Sequence, residues 1–166
     1  MNSVRISIAI FMITVTAAAV IVATGASPRA LPGQPDHERV RAFHVWDDVK
    51  PLKIGLMRGE IGEVAVIGAG LVGCEVAKAF ASLWGADVTL IEAAPTPLPE
   101  ILDPEPGKVV AKHLERQNVR VFTGCPVDRF EPDDEGVTID AFYATPTGAA
   151  ISIIALKRFS AENLPG

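Results

Sequence analysis

Three glycines at the spacing G-x-G-x-x-G constrain the fold of this chain most. They stand between a short continuous apolar run and a stretch whose apolar residues recur at helical spacing. These glycines are Gly68, Gly70 and Gly73. A short apolar run at residues 64–67 precedes them, and apolar residues then recur at helical spacing over residues 71–84. Gly85 ends that helix, and a second apolar run at 88–91 ends in the acid Glu92. The segment predicts a strand, a glycine loop, a helix and a second strand.

Each glycine of this loop has a separate role in dinucleotide binding. Gly68 permits the tight turn off the strand, Gly70 lets the backbone approach a pyrophosphate, and Gly73 lets the helix pack closely on the strand. The anion would lie at the helix N-terminus, where unpaired N–H groups and the helix dipole favour negative charge. The predicted binding residues of the loop are Gly68, Ala69, Gly70, Leu71, Val72 and Gly73.

Glu92 indicates which dinucleotide the loop binds. It lies roughly 20 residues beyond Gly70, the separation expected of a ribose-binding carboxylate. Such a carboxylate accepts hydrogen bonds from the ribose hydroxyls and repels a 2′-phosphate, and no arginine stands at residues 93–95. NAD(H) is therefore favoured over NADP(H). The alternatives are a structural loop without ligand, a solvated acid at Glu92, and another adenosine-containing ligand.

Composition, charge and cysteine spacing exclude several other classes of protein and binding site. A chain of 166 residues is long enough for one domain with a core, and its 49% hydrophobic and 21% charged residues exclude a disordered class. The net charge of −5 gives no basic surface and argues against nucleic acid as a partner. Cys74 and Cys125 are too far apart for a C-x-x-C motif, and Cys74 is predicted to pack rather than react. No metal site is predicted.

Further elements flank this unit. A short helix is predicted from Asp47 or Asp48 to Met57, with an aspartate as N-cap. Another begins after Asp103 with Pro104 at its first position and ends near Asn118. Its inward side chains are predicted to be Val109, Val110 and Leu114. Further strands are predicted at residues 119–122, 127–130, 137–142 and 151–156. The predicted fold is α/β, a Rossmann-like parallel sheet with helices on both faces and a small antiparallel addition.

The first residues allow two interpretations. Residues 6–26 are mostly apolar after Arg5, as in a secretory signal or a membrane anchor. The same composition is typical of strands buried on both faces, with the last strand ending near Ala23. A membrane-anchored or secreted protein with a structural Rossmann-like unit is thus the alternative to a cytoplasmic binding protein.

Several stretches together resemble the pyridine nucleotide-disulfide oxidoreductases, flavoproteins that include lipoamide dehydrogenase, coenzyme A-disulfide reductase and NADH oxidase. A-T-G-A-S-P at residues 23–28 with P-G at 32–33 is similar to the second flavin motif of that family. I-G-A-G-L-V-G-C-E-V-A at 67–77 is similar to its NAD loop. V-T-L-I-E at 88–92, L-P at 98–99 and L-D-P-E at 102–105 are similar to the segments that follow.

The resemblance implies hydride transfer from NADH to FAD, after which electrons pass to a disulfide or another acceptor. It places the loop glycines at the pyrophosphate, Glu92 at the adenosine ribose and Glu75 near the nicotinamide. Thr24 and Gly25 would lie beside the flavin. For Glu75 the alternative is simple complementation of the helix dipole in the first turn. The resemblance also favours the buried-strand interpretation of residues 20–23.

The sequence departs from the family at both ends. Neither the first flavin glycine motif nor the redox cysteines appear before residue 23, and the family's dimerisation domain does not follow. We therefore expect residues 1–36 to be a remnant of flavin-domain strands and 37–60 a linker with a short helix. Residues 61–143 would bind NAD(H), and 144–166 would form a final strand and a tail. Such a fragment would bind FAD weakly alone and could associate with the missing flavin-domain segments. The sequence leaves open whether the chain alone is an enzyme.

Overall fold

A computed structural model describes residues 23–133 and 136–141 and the backbone of 153–156. Three helices and seven strands follow one another in this part of the chain. They are β1 (Val40–Ala42), α1 (Trp46–Met57), β2 (Glu63–Ile67), α2 (Leu71–Trp84), β3 (Asp87–Glu92), α3 (Pro104–Glu115), β4 (Val119–Thr123), β5 (Val127–Pro132), β6 (Val137–Ala141) and β7 (Ile153–Leu156).

The larger sheet has five strands in the order β1-β7-β2-β3-β4. Strands β2, β3 and β4 are parallel, and Ile67 of β2 stands beside Ile91 of β3. Strand β7 runs antiparallel to both β2 and β1, so the predicted last strand lies in the main sheet. Because β2 and β3 end at the same edge, the loop after β2 lies next to Glu92 at the end of β3.

The two faces of this sheet are covered differently. Alternate strand residues, among them Val66 and Leu90, pack with side chains from all three helices, including Leu52, Phe80 and Leu114. The residues between them face a second apolar cluster to which β5 and β6 contribute. That cluster includes Ala65, Ile67, Ile91, Phe130, Val137 and Ile139.

The α/β fold with a small antiparallel addition is confirmed. Among the described residues, however, the prediction that helices cover both faces of the sheet is wrong. The antiparallel pair β5–β6 occupies the second face instead of a helix. Its alternating buried residues Val137, Ile139 and Ala141 give that hairpin the apolar surface that the sheet needs.

Helix α1 starts differently from the prediction. Val45, not an aspartate, is its N-cap. Asp48 lies at the third helical position, and its Oδ2 accepts hydrogen bonds from the N–H groups of Val45 at 2.9 Å and His44 at 3.1 Å. The side chain thus reaches back to the N-cap backbone, as the acidic residue of a capping box does.

Helix α3 has the predicted start but a different inward side. Asp103 is the N-cap and Pro104 the first residue, as predicted. The helix ends at Glu115, three residues before Asn118, which has a φ of 62°. Val109 is 66% exposed, so its predicted inward orientation is wrong, whereas Leu114 is buried. The buried residues of this helix are Gly107 and Leu114, so only a narrow side of the helix packs against the rest of the protein.

Helix α2 has the predicted bounds, and Gly85 follows it in the left-handed conformation with a φ of 67°. Of its apolar periodic residues, Val76 and Phe80 are buried, while Leu71, Val72 and Leu83 are exposed.

The membrane-anchor alternative rests largely on residues 6–22, which lie outside the described residues, as does most of the predicted strand ending near Ala23. Within the ranges that the structure describes, no helix combines the length and the apolar character of a membrane span.

Candidate dinucleotide-binding site

The loop of residues 68–73, here called the glycine loop, turns sharply from β2 into α2. Gly68 has a φ of 96°, which residues with a side chain rarely adopt. Its N–H donates to the Ile91 carbonyl oxygen at 2.7 Å, which holds the start of the loop against β3. The turn therefore places the N-terminus of α2 at the edge where β2 and β3 end.

The N-terminus of α2 carries no side-chain cap. Gly70 is the N-cap, in an extended conformation with φ −70° and ψ −177°. The first N–H groups of an α-helix lack intrahelical acceptors, and a glycine N-cap supplies none. The next two residues, Leu71 and Val72, are 61% and 51% exposed. Polar backbone donors thus lie at an open surface, which is the arrangement that binds phosphate groups.

Ala69 connects the glycine loop to three other segments. Its N–H donates to Oε2 of Glu92 at 2.6 Å. Its carbonyl oxygen accepts from the N–H of Leu98 at 2.8 Å and from Sγ of Cys74 at 3.4 Å. Ala69 itself is fully buried. The loop is therefore held before any ligand binds.

Glu92 lies where the sequence predicted, beside the glycine loop. Its side chain is 3% exposed, which excludes the solvated acid considered above. Oε1 accepts from the N–H of Ala94 at 2.8 Å, and Oε2 accepts from Ala69. A carboxylate has about four acceptor positions, so about two remain for further donors such as hydroxyl groups.

Glu75 and the flavin-motif residues Thr24 and Gly25 do not take part in the hydrogen bonds between the glycine loop and Glu92. Glu75 is exposed and is the fifth residue of α2, so it lies just beyond the first turn in which the dipole interpretation placed it. Thr24 and Gly25 are exposed outside regular structure, and Gly25 has a φ of 79°. Among the described residues, no hydrogen bond joins Thr24 or Gly25 to the glycine loop. Their flavin contacts and the nicotinamide contact of Glu75 stay predictions.

Sequence reasoning missed two backbone groups at the site, the Ala94 N–H that donates to Glu92 and the Leu98 N–H that donates to the carbonyl oxygen of Ala69. Ala94 and Leu98 lie in the segment between β3 and α3, and nothing in their residue type marks them. Leu98 has a φ of 56°, a conformation rare for a leucine. Its N–H contact with Ala69 depends on that conformation, which only the folded chain defines.

The cysteine side chains are protected in the fold. Burial, with the negative charges of Glu92 and Glu75, raises the pKa of the Cys74 thiol from 9.0 to about 11. Burial also raises the pKa of the Cys125 thiol. Both are free thiols, and the Cys74 packing predicted from sequence agrees with its place in the core. No group of His, Cys, Asp and Glu in the described residues could hold a metal ion.

We expect Cys74 to resist alkylation near neutral pH, because the reactive form is the thiolate. Its folded pKa lies above the unfolded value of 9.0, so its contribution to the free energy of unfolding is complete below about pH 9. That contribution is lost as the pH rises through about 11. Iodoacetamide labelling followed by peptide mass spectrometry, with and without denaturant, measures the protection. Labelling of Cys74 at the same rate in both conditions would contradict it.

Comparison with known proteins places this geometry in a family. A profile described as pyridine nucleotide-disulphide oxidoreductase matches residues 12–154. The chain belongs to this family. Its members are FAD-dependent oxidoreductases, and the resemblance inferred from the motifs is confirmed.

The similarity to individual oxidoreductases of this family covers most of the chain. Dihydrolipoyl dehydrogenase of Rhizobium etli is 34% identical over 154 residues, which are 92% of this chain and 30% of that protein. An NADH oxidase of Methanocaldococcus jannaschii is 32% identical over 110 residues, 66% of this chain and 24% of that protein. The chain spans less than a third of the length of these relatives.

Solved structures share the fold. A water-forming NADH oxidase from Lactobacillus brevis, bound to NADH, has a TM-score of 0.62 and 26% identity over 71% of this chain and 26% of that one. An NAD-dependent persulfide reductase from A. fulgidus has a TM-score of 0.64 and 28% identity over 70% of this chain and 22% of that one.

Proposed function

We propose that this chain binds NAD(H) as the coenzyme module of an FAD-dependent pyridine nucleotide-disulphide oxidoreductase. The observation that carries the proposal is the uncapped N-terminus of α2 beside the buried Glu92 carboxylate. In this assignment residues 61–143 bind the coenzyme, with 37–60 as a linker. Residues 1–36 are assigned to the flavin side. The sequence also assigned 144–166 to that side, but β7 from this segment pairs with β2 in the sheet that carries the glycine loop.

The residues present fit a dinucleotide. Gly70 places no side chain between the backbone and a pyrophosphate, and the first N–H groups of α2 supply donors for its oxygens. The remaining acceptor positions of Glu92 suit the two hydroxyl groups of an adenosine ribose. An ordinary serine or threonine N-cap would have satisfied the helix itself and removed donors from the ligand.

The chain's own contribution is binding and orientation. The bound coenzyme would supply a hydride to the flavin, and this redox chemistry belongs to the cofactors. The glycine loop would hold the pyrophosphate, and Glu92 would fix the adenosine end. We propose Glu75 for the nicotinamide side, and Thr24 and Gly25 for the flavin side, from the family motifs alone.

The relatives' names support the choice of coenzyme class. The L. brevis oxidase is bound to NADH, and an engineered derivative of it with a TM-score of 0.64 is bound to NADPH. For this chain we propose NADH, because Glu92 places a buried carboxylate at the ribose position with no arginine at residues 93–95.

Titration of NADH fluorescence with the purified chain tests the proposal. We expect saturable binding with a Kd between about 1 μM and 1 mM, the range in which enzyme KM values typically fall. Competition by AMP that is stronger than competition by NAD⁺ would instead favour an adenosine ligand without a nicotinamide. A folded sample, verified by circular dichroism, that leaves the fluorescence unchanged at millimolar NADH would contradict the proposal.

A further inference from the structure

The backbone conformation of Leu98 is one that the local sequence disfavours. Its φ is 56°, in the left-handed region, where a leucine is uncommon. Pro99 follows it, and a residue before proline favours an extended backbone. A conformation with two local preferences against it persists only where the surrounding structure holds it, and such residues concentrate at ligand sites. Leu98 is therefore a candidate for a role in the glycine loop that it contacts.

Leu98 joins the glycine loop to the turn that leads into α3. Its N–H donates to the carbonyl oxygen of Ala69 at 2.8 Å. Its own carbonyl oxygen accepts from the N–H groups of Ile101 at 3.0 Å and Leu102 at 2.9 Å. Its side chain is partly buried and packs against the apolar cluster between the helices and the sheet. Both backbone polar groups of Leu98 are thus hydrogen-bonded, one of them to the glycine loop.

The segment that precedes Leu98 is held at two other places. The carbonyl oxygen of Ala94 accepts from the Gly124 N–H at 2.7 Å, which ties the segment to the end of β4. Gly107 of α3 packs so closely on it that an added Cβ would lie 2.7 Å from the Cβ of Thr96. Because β4 and α3 both fix this segment, Leu98 has little freedom to turn its N–H away from the glycine loop.

The hydrogen bond from Leu98 also sets the direction of the next N–H group in the glycine loop. The carbonyl oxygen of Ala69 and the N–H of Gly70 belong to one planar trans peptide group, so they point in opposite directions. Because Leu98 holds the oxygen, the Gly70 N–H is directed away from Leu98. Among the described residues this N–H has no hydrogen-bond acceptor, so it can donate to a bound anion.

We propose that Leu98 is a positioning residue that aims the Gly70 N–H at the coenzyme pyrophosphate. Its left-handed backbone, and not its side chain, performs this role by holding the Ala69 carbonyl oxygen. The inference rests on the proposed function, because it takes the glycine loop as the pyrophosphate site. A loop whose donors are already aimed loses less conformational freedom when the coenzyme binds, and its affinity for the coenzyme is higher for that reason.

Two substitutions of Leu98 separate its backbone conformation from its side chain. Valine is apolar but β-branched, which makes a positive φ a genuine outlier, so Leu98→Val should turn the N–H away from Ala69. Glycine adopts a positive φ readily, so Leu98→Gly should keep the hydrogen bond although it removes the side chain. Asn118→Val is the matched control, because Asn118 has a φ of 62° but lies after α3, outside the glycine loop.

The experiment measures the Kd for NADH with the wild-type chain and these variants. We expect Leu98→Val to raise the Kd about tenfold or more, and Leu98→Gly and Asn118→Val to leave it within about threefold. A loss of affinity in Leu98→Gly as large as that in Leu98→Val would overturn the proposal, because the side chain would then be responsible. An unchanged Kd in Leu98→Val, or an equal loss in Asn118→Val, would overturn it too.

Amide hydrogen exchange tests the positioning without any coenzyme. The Leu98 N–H should be protected in the free wild-type chain, because it is hydrogen-bonded to Ala69. Should Leu98→Val fail to fold, this measurement and the Kd of Leu98→Gly decide: protection with an unchanged Kd supports the proposal, and loss of either overturns it. A folded wild-type chain that binds no NADH refutes the proposed function, whereas NADH binding with an unprotected Leu98 N–H refutes the role of Leu98 alone.

Discussion

Replacement of Gly70 by valine is expected to weaken NADH binding by roughly a hundredfold or more while the chain stays folded. Gly70 has φ −70° and ψ −177°, an extended conformation that valine adopts without strain. The added side chain would stand where the backbone must approach the pyrophosphate. Loss of two charge-assisted hydrogen bonds, each worth about 1.5–3 kcal/mol, lowers affinity by roughly a hundredfold or more. The fluorescence titration measures this loss.

Gly62→Val is the matched control for Gly70→Val. Gly62 is exposed just before β2, and a Cβ there meets no atom within 4 Å. The same substitution at that site should leave the NADH Kd within about twofold, because it lies outside the glycine loop. Equal binding by both variants would show that the pyrophosphate does not approach Gly70. Thermal unfolding of each variant verifies that affinity was compared between folded chains.

Replacement of Phe80 by alanine is expected to lower the free energy of unfolding by about 3–5 kcal/mol. Phe80 is 2% exposed on the sheet-facing side of α2. Its ring contacts Phe43 and Trp84, with centroid distances of 6.3 and 5.5 Å. The substitution leaves a cavity between α2 and the sheet and removes both aromatic contacts. Chemical denaturation monitored by circular dichroism measures the change.

Leu83→Ala on the same helix is the control for Phe80→Ala. Leu83 is 72% exposed, so its truncation should change the free energy of unfolding by no more than about 0.5 kcal/mol. Both changes place alanine, the strongest helix former, in α2, so neither weakens the helix through its intrinsic propensity. A loss at Leu83 as large as that at Phe80 would contradict the assignment of the buried face.

The strand–loop–helix unit was predictable because its signals are local. The glycine spacing, the apolar periodicity and the glycine after the helix all act within a few residues of the structure they specify. Helix α2 accordingly has the predicted bounds, and β2 and β3 differ from prediction by a single residue at each changed end.

The arrangement of layers was not predictable from the same signals. Periodicity shows that a helix has an apolar side but does not show which face of the sheet it covers. The described helices share one face, and the β5–β6 hairpin covers the other. Periodicity also overestimates how many apolar residues of a helix are buried. Val109 stays exposed because only a narrow side of its helix is buried.

At the candidate site, the position of Glu92 beside the glycine loop could be predicted from the sequence, but the groups that hold its side chain could not. The position of Glu92 followed from its distance to the glycine loop, which the βαβ geometry fixes. Its hydrogen bonds to Ala69 and Ala94 involve backbone groups, which every residue type carries. The positive φ of Leu98 likewise does not follow from its residue type, because leucine rarely adopts this conformation.

Amide chemical shifts during an NADH titration test the central claim most directly. The account predicts that the largest saturable changes occur at the N–H groups of residues 70–73, which face the pyrophosphate, with smaller changes near Glu92. Binding with these signals unmoved would contradict it. So would changes centred on the open cavity of about 260 Å³ beside α1, which Arg41 and Glu60 line.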